Sequence, residues 1–113
     1  MVSIKNNVIK ITQGDTLRTR VIFFIKPGVV YTPSEGDRIR FALKSSRNPV
    51  DREVLLNIEI PAATMELVIP AELSKKVPAR TLPYFYDVEI CFANGDVYTF
   101  IPDGTYYSLP EVV

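Results

Sequence analysis

The chain has 113 residues, 47% of them hydrophobic and 23% charged, with 13 basic and 13 acidic side chains. This length and composition indicate one soluble globular domain over residues 1–113 and exclude a disordered chain. There is no His, no Trp and a single Cys, which excludes His-assisted nucleophiles, imidazole or thiolate metal sites and an internal disulfide. We therefore expect no enzyme activity, no cofactor and no bound metal.

The sequence also lacks the apolar segments that direct a chain to a membrane. No run of about 18 apolar residues is present, and residues 1–7, MVSIKNN, are too polar for a signal peptide. We expect a protein that is made in the cytoplasm and does not contact membranes.

Strict alternation of apolar and polar residues, which is typical of half-buried strands, dominates the first two thirds of the chain. It predicts strands over Leu17–Ile25 and Arg38–Lys44. The segments Val54–Ile60 and Met65–Ile69, joined by a turn at Pro61–Thr64, predict a hairpin. Helical periodicity is confined to one turn after Pro70, residues 71–76, which we expect to cross between two sheets.

The last third contains the sharpest local signals. Alternation over Tyr84–Phe92 predicts the longest strand of the fold. Asn94–Gly95 predicts a two-residue type I′ turn, which sets Phe92 opposite Val97 on the inner face. On the other face this register sets Cys91 opposite Tyr98 and Glu89 opposite Phe100, so that face is partly apolar.

The short strands, the near absence of helix and the position of the prolines between the apolar runs together indicate a fold class. They predict an all-β protein, an immunoglobulin-like antiparallel β-sandwich of about seven to eight strands with at most one short helical turn. The cysteine pair and the tryptophan of antibody domains are absent from the sequence.

The zero net charge conceals an uneven distribution. Residues 1–52 carry a net charge of +6 and residues 53–113 carry −6. One interpretation is that basic and acidic strands lie side by side and form ion pairs across the sheets. The other is a surface with one basic and one acidic pole, suited to stacking of copies or to docking on a charged partner.

Two groups of residues are candidates for an interface. The first is a patch of outward arginines on two strands that could be neighbours: Arg18, Arg20, Arg38 and Arg40. Nucleic-acid surfaces normally carry a net positive charge and stacking aromatics, so acidic strand partners or a protein interface are favoured and no nucleic-acid partner is expected. The second group is the partly apolar face formed by Cys91, Tyr98 and Phe100.

Two further hypotheses involve carboxylates and tyrosines. Asp87 and Glu89 share one strand face about 7 Å apart, within the separation used by general acid and base pairs, although solvated strand carboxylates are the simpler explanation. Tyr31, Tyr106 and Tyr107 could present aromatic rings to a sugar, as in a carbohydrate-binding or adhesin-type β-sandwich module. Tyr84 and Tyr86 occupy the positions where sandwich folds bury a tyrosine that bonds to the backbone.

The chain resembles a phage protein family through a series of short motifs. They comprise a tyrosine-aspartate strand, a tight glycine turn, a glycine-containing loop and a closing proline-glutamate-valine run: Tyr84–Ile90, Asn94–Asp96, Pro102–Tyr106 and Leu109–Val112. A weaker match lies in the N-terminal half, at Gln13–Leu17 and Gly36–Lys44. This pattern is similar to the N-terminal β-sandwich domain family of the phage upper baseplate protein and related structural proteins of tailed phages and prophages.

The resemblance implies a virion structural protein without an active site, which assembles a baseplate, tail or neck. Its partners would be other virion structural proteins and further copies of itself, and it would be made in the bacterial cytoplasm. A carbohydrate-binding or adhesin module stays the alternative.

Overall fold

A computed structural model describes residues 1–22, 24–48 and 53–111 and shows a mostly β protein. The ten strands among these residues are β1 (Val2–Lys5), β2 (Val8–Thr12), β3 (Leu17–Arg20), β4 (Phe24–Lys26), β5 (Val29–Val30), β6 (Arg38–Lys44), β7 (Val54–Ile60), β8 (Glu66–Ile69), β9 (Tyr84–Cys91) and β10 (Val97–Leu109). One helix, α1 (Ala71–Lys76), lies between β8 and β9. The predicted bounds of the strands at β6 and β7 and of the helical turn are confirmed.

The strands form one large sheet and two small ones. The large sheet has the order β1-β2-β10-β9-β6-β7, and β3-β8 and β4-β5 are two-stranded sheets. All neighbours are antiparallel except β10 and β2, which are parallel. The prediction of a purely antiparallel sandwich is therefore wrong at this pair, where the chain returns to its N-terminal strands.

The core lies between the six-stranded sheet and the β3-β8 pair. Inward residues of the large sheet, such as Phe41 and Ile90, are fully buried, and they belong to one cluster with Leu17 of β3 and Ile69 of β8. The strands that contribute to this core, β2, β3 and β6 to β10, do so mainly with every second residue, because successive side chains of a strand point to opposite faces. We call the side of the six-stranded sheet away from this core its outer face.

The segment predicted as one strand over residues 17–25 is divided between two sheets. β3 ends at Arg20 and β4 begins at Phe24, and Val21 donates its backbone N–H to the Met65 carbonyl between them. Phe23 and the side chain of Ile25, which the alternation also placed in this strand, lie outside the described residues.

The hairpin predicted from β7 and β8 is not formed, because β7 pairs with β6 and β8 pairs with β3. A helical-type turn, in which the Met65 N–H bonds the Pro61 carbonyl at 2.8 Å, ends with Met65 at a φ of 53°. This left-handed residue redirects the chain, so that the two apolar runs cover the core from opposite layers. The turn between the two strands was predicted correctly, but the pairing of the strands with each other was wrong.

The alternation predicted that the strand beginning at Tyr84, β9, is the longest, and this prediction is wrong. β10 has 13 residues against the eight of β9, because it continues through Pro102 and Gly104 with two shifts of register. It pairs with β9 from Val97 to Tyr106 and with β2 from Thr105 to Leu109.

The N-terminal hairpin of β1 and β2 is not among the elements predicted from alternation. Its turn residues, Asn6 and Asn7, both have positive φ, at 52° and 62°, which is the conformation of a type I′ turn. Asparagine tolerates this conformation better than most residues, so the signal was present in the sequence. In the part of the chain that is described, no helix has the length and apolar character needed to cross a membrane.

Candidate functional site

The outer face of the six-stranded sheet carries alternating charges across three strands. β6 contributes Arg38, Arg40 and Lys44 and lies between β7 and β9, which contribute acidic residues. Side chains at opposite or diagonal positions of neighbouring strands are close enough for opposite charges to form ion pairs. We call this arrangement the charge ladder, and its ion pairs are Arg38–Glu59, Arg40–Glu89 and Lys44–Asp87.

A shallow groove of about 450 Å³ lies at one end of the ladder, where the pairs Arg38–Glu59 and Arg40–Glu89 are. Its walls include both charged and small side chains, among them Arg38, Arg40, Asn57, Glu59, Glu89 and Cys91. The Arg38 Nε donates a hydrogen bond of 2.9 Å to Glu59, which lowers the pKa of that carboxyl and raises that of the guanidinium. The groove thus has balanced charge and already engaged ionic groups.

These ion pairs bring the basic first half of the sequence and its acidic second half together, so their charges neutralise each other. Beyond the ladder, Arg18 on β3 pairs with Glu66 on β8 at 2.7 Å, and Arg47 pairs with Asp103 at 2.9 Å. Basic residues of the first half therefore meet acidic residues of the second half across the sheets. The interpretation that basic and acidic strands lie side by side is confirmed for the three pairs of the ladder and for Arg18–Glu66, whereas Arg47 lies outside the strands.

The four-arginine patch is not formed, and its prediction is wrong. Arg18 and Arg20 lie on β3, which pairs only with β8 among the described strands, whereas Arg38 and Arg40 lie on β6 in the other sheet. The alternation identified the outward positions correctly, but it could not show which strands are neighbours. Of the seven predicted interface residues, the groove brings together Arg38, Arg40 and Cys91.

The register predicted for the last hairpin is also wrong. Cys91 lies opposite Val97, and Tyr98 lies opposite Ile90. The loop has three residues instead of two: the Gly95 N–H bonds the Phe92 carbonyl at 2.9 Å, and only Gly95 has a positive φ, 95°. This combination is a type I turn followed by a left-handed glycine.

A shift of one residue moves side chains to the opposite face. Cys91 lies on the outer face, whereas Tyr98 shares the face of the buried Ile90 and is itself 55% exposed near the end of the sheet. Phe100 lies at the following register shift and packs partly against the core. Cys91, Tyr98 and Phe100 therefore do not form one surface.

Asp87 and Glu89 share the outer face of β9, as the alternation predicted. Each is engaged by a cation, Asp87 by Lys44 and Glu89 by Arg40. Their observed contacts are those of cross-strand ion-pair partners. Across residues 1–22, 24–48 and 53–111, no group of three Asp, Glu or Cys side chains could hold a metal ion.

The tyrosines are mostly structural. Tyr84 and Tyr86 are buried, as predicted, and their hydroxyls donate to the backbone carbonyls of Pro78 at 2.6 Å and Asn7 at 3.0 Å. Tyr106 is fully buried and Tyr31 nearly so, so the expectation that they present rings to a sugar is wrong. Burial raises the pKa of Tyr31 to about 12, with help from its hydrogen bond to the Asp37 carboxylate.

Tyr107 is half-buried, and the Lys10 ammonium lies 5.8 Å from the centre of its ring. This cation–π contact engages one face of the ring. Of the three tyrosines in the sugar-binding hypothesis, it is the one with appreciable exposure.

A second surface, which is not among the predicted interfaces, consists of the β4-β5 hairpin and Ile22, which lies two residues before β4. It exposes four large apolar side chains: Ile22 by 57%, Phe24 by 58%, Val29 by 37% and Val30 by 51%. We call it the apolar hairpin. The signal in the sequence was the run VIFFIKPGVV, in which the Pro-Gly turn separates two apolar segments with one charge between them.

The sequence matches no model of a known protein family, and no curated protein matches it. The charge ladder and the apolar hairpin are the two surfaces of the described chain that bear on its function.

Proposed function

We propose that this chain is a structural protein of a tailed phage or prophage, an assembly module of the baseplate, tail or neck that works through protein–protein contacts. The observation that carries the proposal is the apolar hairpin, where Ile22, Phe24, Val29 and Val30 are all exposed. Clustered exposed apolar side chains are typical of surfaces that other proteins cover. The partners would be other virion proteins and further copies of the chain, assembled after synthesis in the bacterial cytoplasm.

The apolar hairpin is well suited to bind a partner because the rest of the described fold adds little to its stability. An isolated two-stranded hairpin is marginally stable in water, and β4 and β5 pair only with each other in the described structure. Covering Phe24 and Val30, which lie opposite each other, would stabilise both the hairpin and the complex.

The charge ladder supports a protein partner over a nucleic acid. Binding to phosphates needs cations that are available to replace counterions, whereas Arg38, Arg40 and Lys44 are engaged by carboxylates. Ion-paired polar residues together with exposed apolar residues are a common composition for the surfaces of a protein that binds other proteins.

We also propose that the fold is an immunoglobulin-like sandwich, as in the family that the sequence resembles. Three features support this. The order β7-β6-β9-β10 faces a β3-β8 pair over one core, a short helix connects β8 to β9, and Tyr84 at the start of β9 bonds the backbone six residues upstream. The last feature corresponds to the tyrosine corner of such domains.

The test is the presence of the chain in phage particles. A strain that carries the gene in a prophage would be induced, the particles purified and their proteins identified by mass spectrometry, with antibody labelling to locate the chain. We expect it in the tail or baseplate at a fixed ratio to other tail proteins. Its absence from purified particles would contradict the proposal.

A matched pair of variants tests the role of the apolar hairpin. Phe24→Ser combined with Val30→Ser should abolish incorporation into particles, while Leu82→Ser, which alters a residue that is 71% exposed and outside the hairpin, should not. If both variants enter particles equally, the hairpin is not the contact surface.

A further inference from the structure

One edge of the six-stranded sheet lacks the features that usually prevent strands of different molecules from pairing. The sheet ends at β1 on one side and β7 on the other, and no other described strand pairs with the free side of either. Free edges are templates for a further strand, and proteins protect them with short strands, lysines, prolines or bulges. β1 has only four residues and ends in Lys5.

β7 is unprotected by comparison. It has seven residues with the sequence VLLNIEI, so it contains neither Lys nor Pro. Its bulge lies at the beginning, between the residues that pair with Leu43 and Lys44, and the segment from Leu56 to Ile60 is regular. Its inner face is apolar throughout, and its single charge, Glu59, is on the outer face.

We propose that the β7 edge binds the same edge of a second copy of this chain, so that two six-stranded sheets join into one across a two-fold axis. The two β7 strands would run antiparallel with Ile58 at the axis. Antiparallel pairs are the more stable kind, and two-fold dimers are the commonest assemblies of identical chains.

This register matches the side chains on both faces. On the inner face, the half-buried Ile58 meets its symmetry mate and is covered. Leu56 would be the cross-strand neighbour of Ile60 of the other copy; both side chains are already buried in their own chain, so they keep this face apolar without adding newly covered surface. On the outer face, Asn57 of each copy lies opposite Glu59 of the other. The exposed amide of Asn57 can donate a hydrogen bond to that carboxylate.

The charges are compatible with this pairing. The two Glu59 carboxylates lie on a diagonal and not opposite each other, and each is neutralised by Arg38 of its own chain at 2.9 Å. Other registers that keep the same residues on the inner face would lose both the Ile58 contact and the Asn57–Glu59 contact. With Asn57 at the axis, for example, Glu59 would face the bulged Leu55. Charge and shape together therefore favour the register centred on Ile58.

This inference deepens the proposed assembly role and rests on it for the expectation that several copies of the chain meet. The β7 edge and the apolar hairpin are formed by different strands. Experiments can therefore refute the β7 dimer and the role of the hairpin separately.

Substitutions at Asn57 test the pairing, because this side chain is exposed and no hydrogen bond or ion pair of the fold depends on it in the residues described. In the proposed dimer, Asn57→Glu places a carboxylate opposite Glu59 and Asn57→Lys places an ammonium there. The contact occurs twice in each dimer, so we expect the dissociation constant to rise about tenfold in the first variant and to fall about tenfold in the second.

The measurement is sedimentation equilibrium of the full chain over a range of concentrations, with circular dichroism to confirm that each variant is folded. A wild-type dimer with shifts in opposite directions for the two variants supports the proposal. A chain that stays monomeric at millimolar concentration, or a dimer whose affinity is the same in both variants, overturns it. A monomeric chain that is still found in phage particles would refute the β7 dimer and leave the assembly role standing.

Discussion

The two faces of the six-stranded sheet are built from the same strands and differ in almost every property that matters for stability. On β6, the inward residues Ile39, Phe41 and Leu43 are completely buried, while the outward Arg38 and Arg40 are exposed. The inner face depends on close packing and on the hydroxyl partners of its tyrosines. The outer face depends on ion pairs that water weakens. The difference shows where single substitutions should be costly.

The largest effect is expected on the inner face at Gly104. A Cβ added to this residue would lie 2.2 Å from Cζ of Tyr86 and within 2.5 Å of two further ring atoms. The ring cannot easily move, because Tyr86 is buried against Phe41 and bonds the Asn7 carbonyl. We expect Gly104→Ala to lower the free energy of unfolding by about 3 kcal/mol, measured by urea denaturation.

Gly95→Ala is the matched control for this substitution. Gly95 has a positive φ of 95° and nothing within 4 Å of an added Cβ, so it measures backbone strain without a steric clash. We expect a loss of about 1 kcal/mol. Equal losses in the two variants would show that Tyr86 does not require the glycine.

The next effect compares two buried tyrosines. The Tyr84 hydroxyl donates to the Pro78 carbonyl, whereas the buried Tyr106 hydroxyl has no partner among the described residues. We expect Tyr84→Phe to lower the free energy of unfolding by about 1 kcal/mol and Tyr106→Phe to raise it by up to about 1 kcal/mol. Thermal denaturation of both variants tests this, and a loss at Tyr106 as large as that at Tyr84 would contradict it.

A smaller effect distinguishes two ion pairs of the outer face. The side chains of Lys44 and Asp87 are 20% and 22% exposed, and those of Arg38 and Glu59 are 73% and 56% exposed. A double-mutant cycle with alanine should give a coupling energy of about 0.5 kcal/mol for the first pair. The second pair should couple more weakly, because solvent screens it, and added salt should reduce its coupling further. A stronger coupling in the exposed pair would reverse this comparison.

The smallest effect is the dependence of stability on acid. The Tyr31 hydroxyl and the Ser34 N–H donate to Asp37 and hold the pKa of its carboxyl below the ordinary value of 3.8. The unfolded chain therefore binds a proton more readily than the folded one as the pH falls below this value. The stability that Asp37 contributes is present at neutral pH and is lost as the pH falls.

Urea denaturation from neutral pH to about pH 3 measures this dependence. Asp37→Asn should have a flatter profile than the wild type, and Tyr31→Phe, which removes the first donor, should change the profile in the same direction. Profiles that superimpose for all three proteins would show that Asp37 contributes nothing to the acid dependence.

Local patterns predicted several elements to the residue. Alternation placed β6 at Arg38–Lys44 and β7 at Val54–Ile60, and helical spacing after Pro70 placed α1 at Ala71–Lys76. The burial of Tyr84 and Tyr86 also followed from alternation. These predictions succeeded because each depends on the periodicity of a short segment, which neighbouring residues determine.

The predicted sites were less accurate because they depend on strand pairing. Asn94–Gly95 was identified as a turn, but the loop has three residues and not the predicted two. The extra residue shifts the register by one, so Tyr98 and Cys91 lie on opposite faces of the sheet. Arg18 and Arg40 were both identified as outward, but they belong to different sheets.

The sequence by itself determined that this protein is mostly β, where many strands lie and which side chains point outward, because alternation is a local property of the chain. It also contained the charge separation, +6 against −6. Only the tertiary structure decided that β6 lies between β7 and β9, so that these charges neutralise each other, and that β7 is left as a free edge. Strand order and register depend on contacts between residues far apart in the chain, which no local pattern encodes.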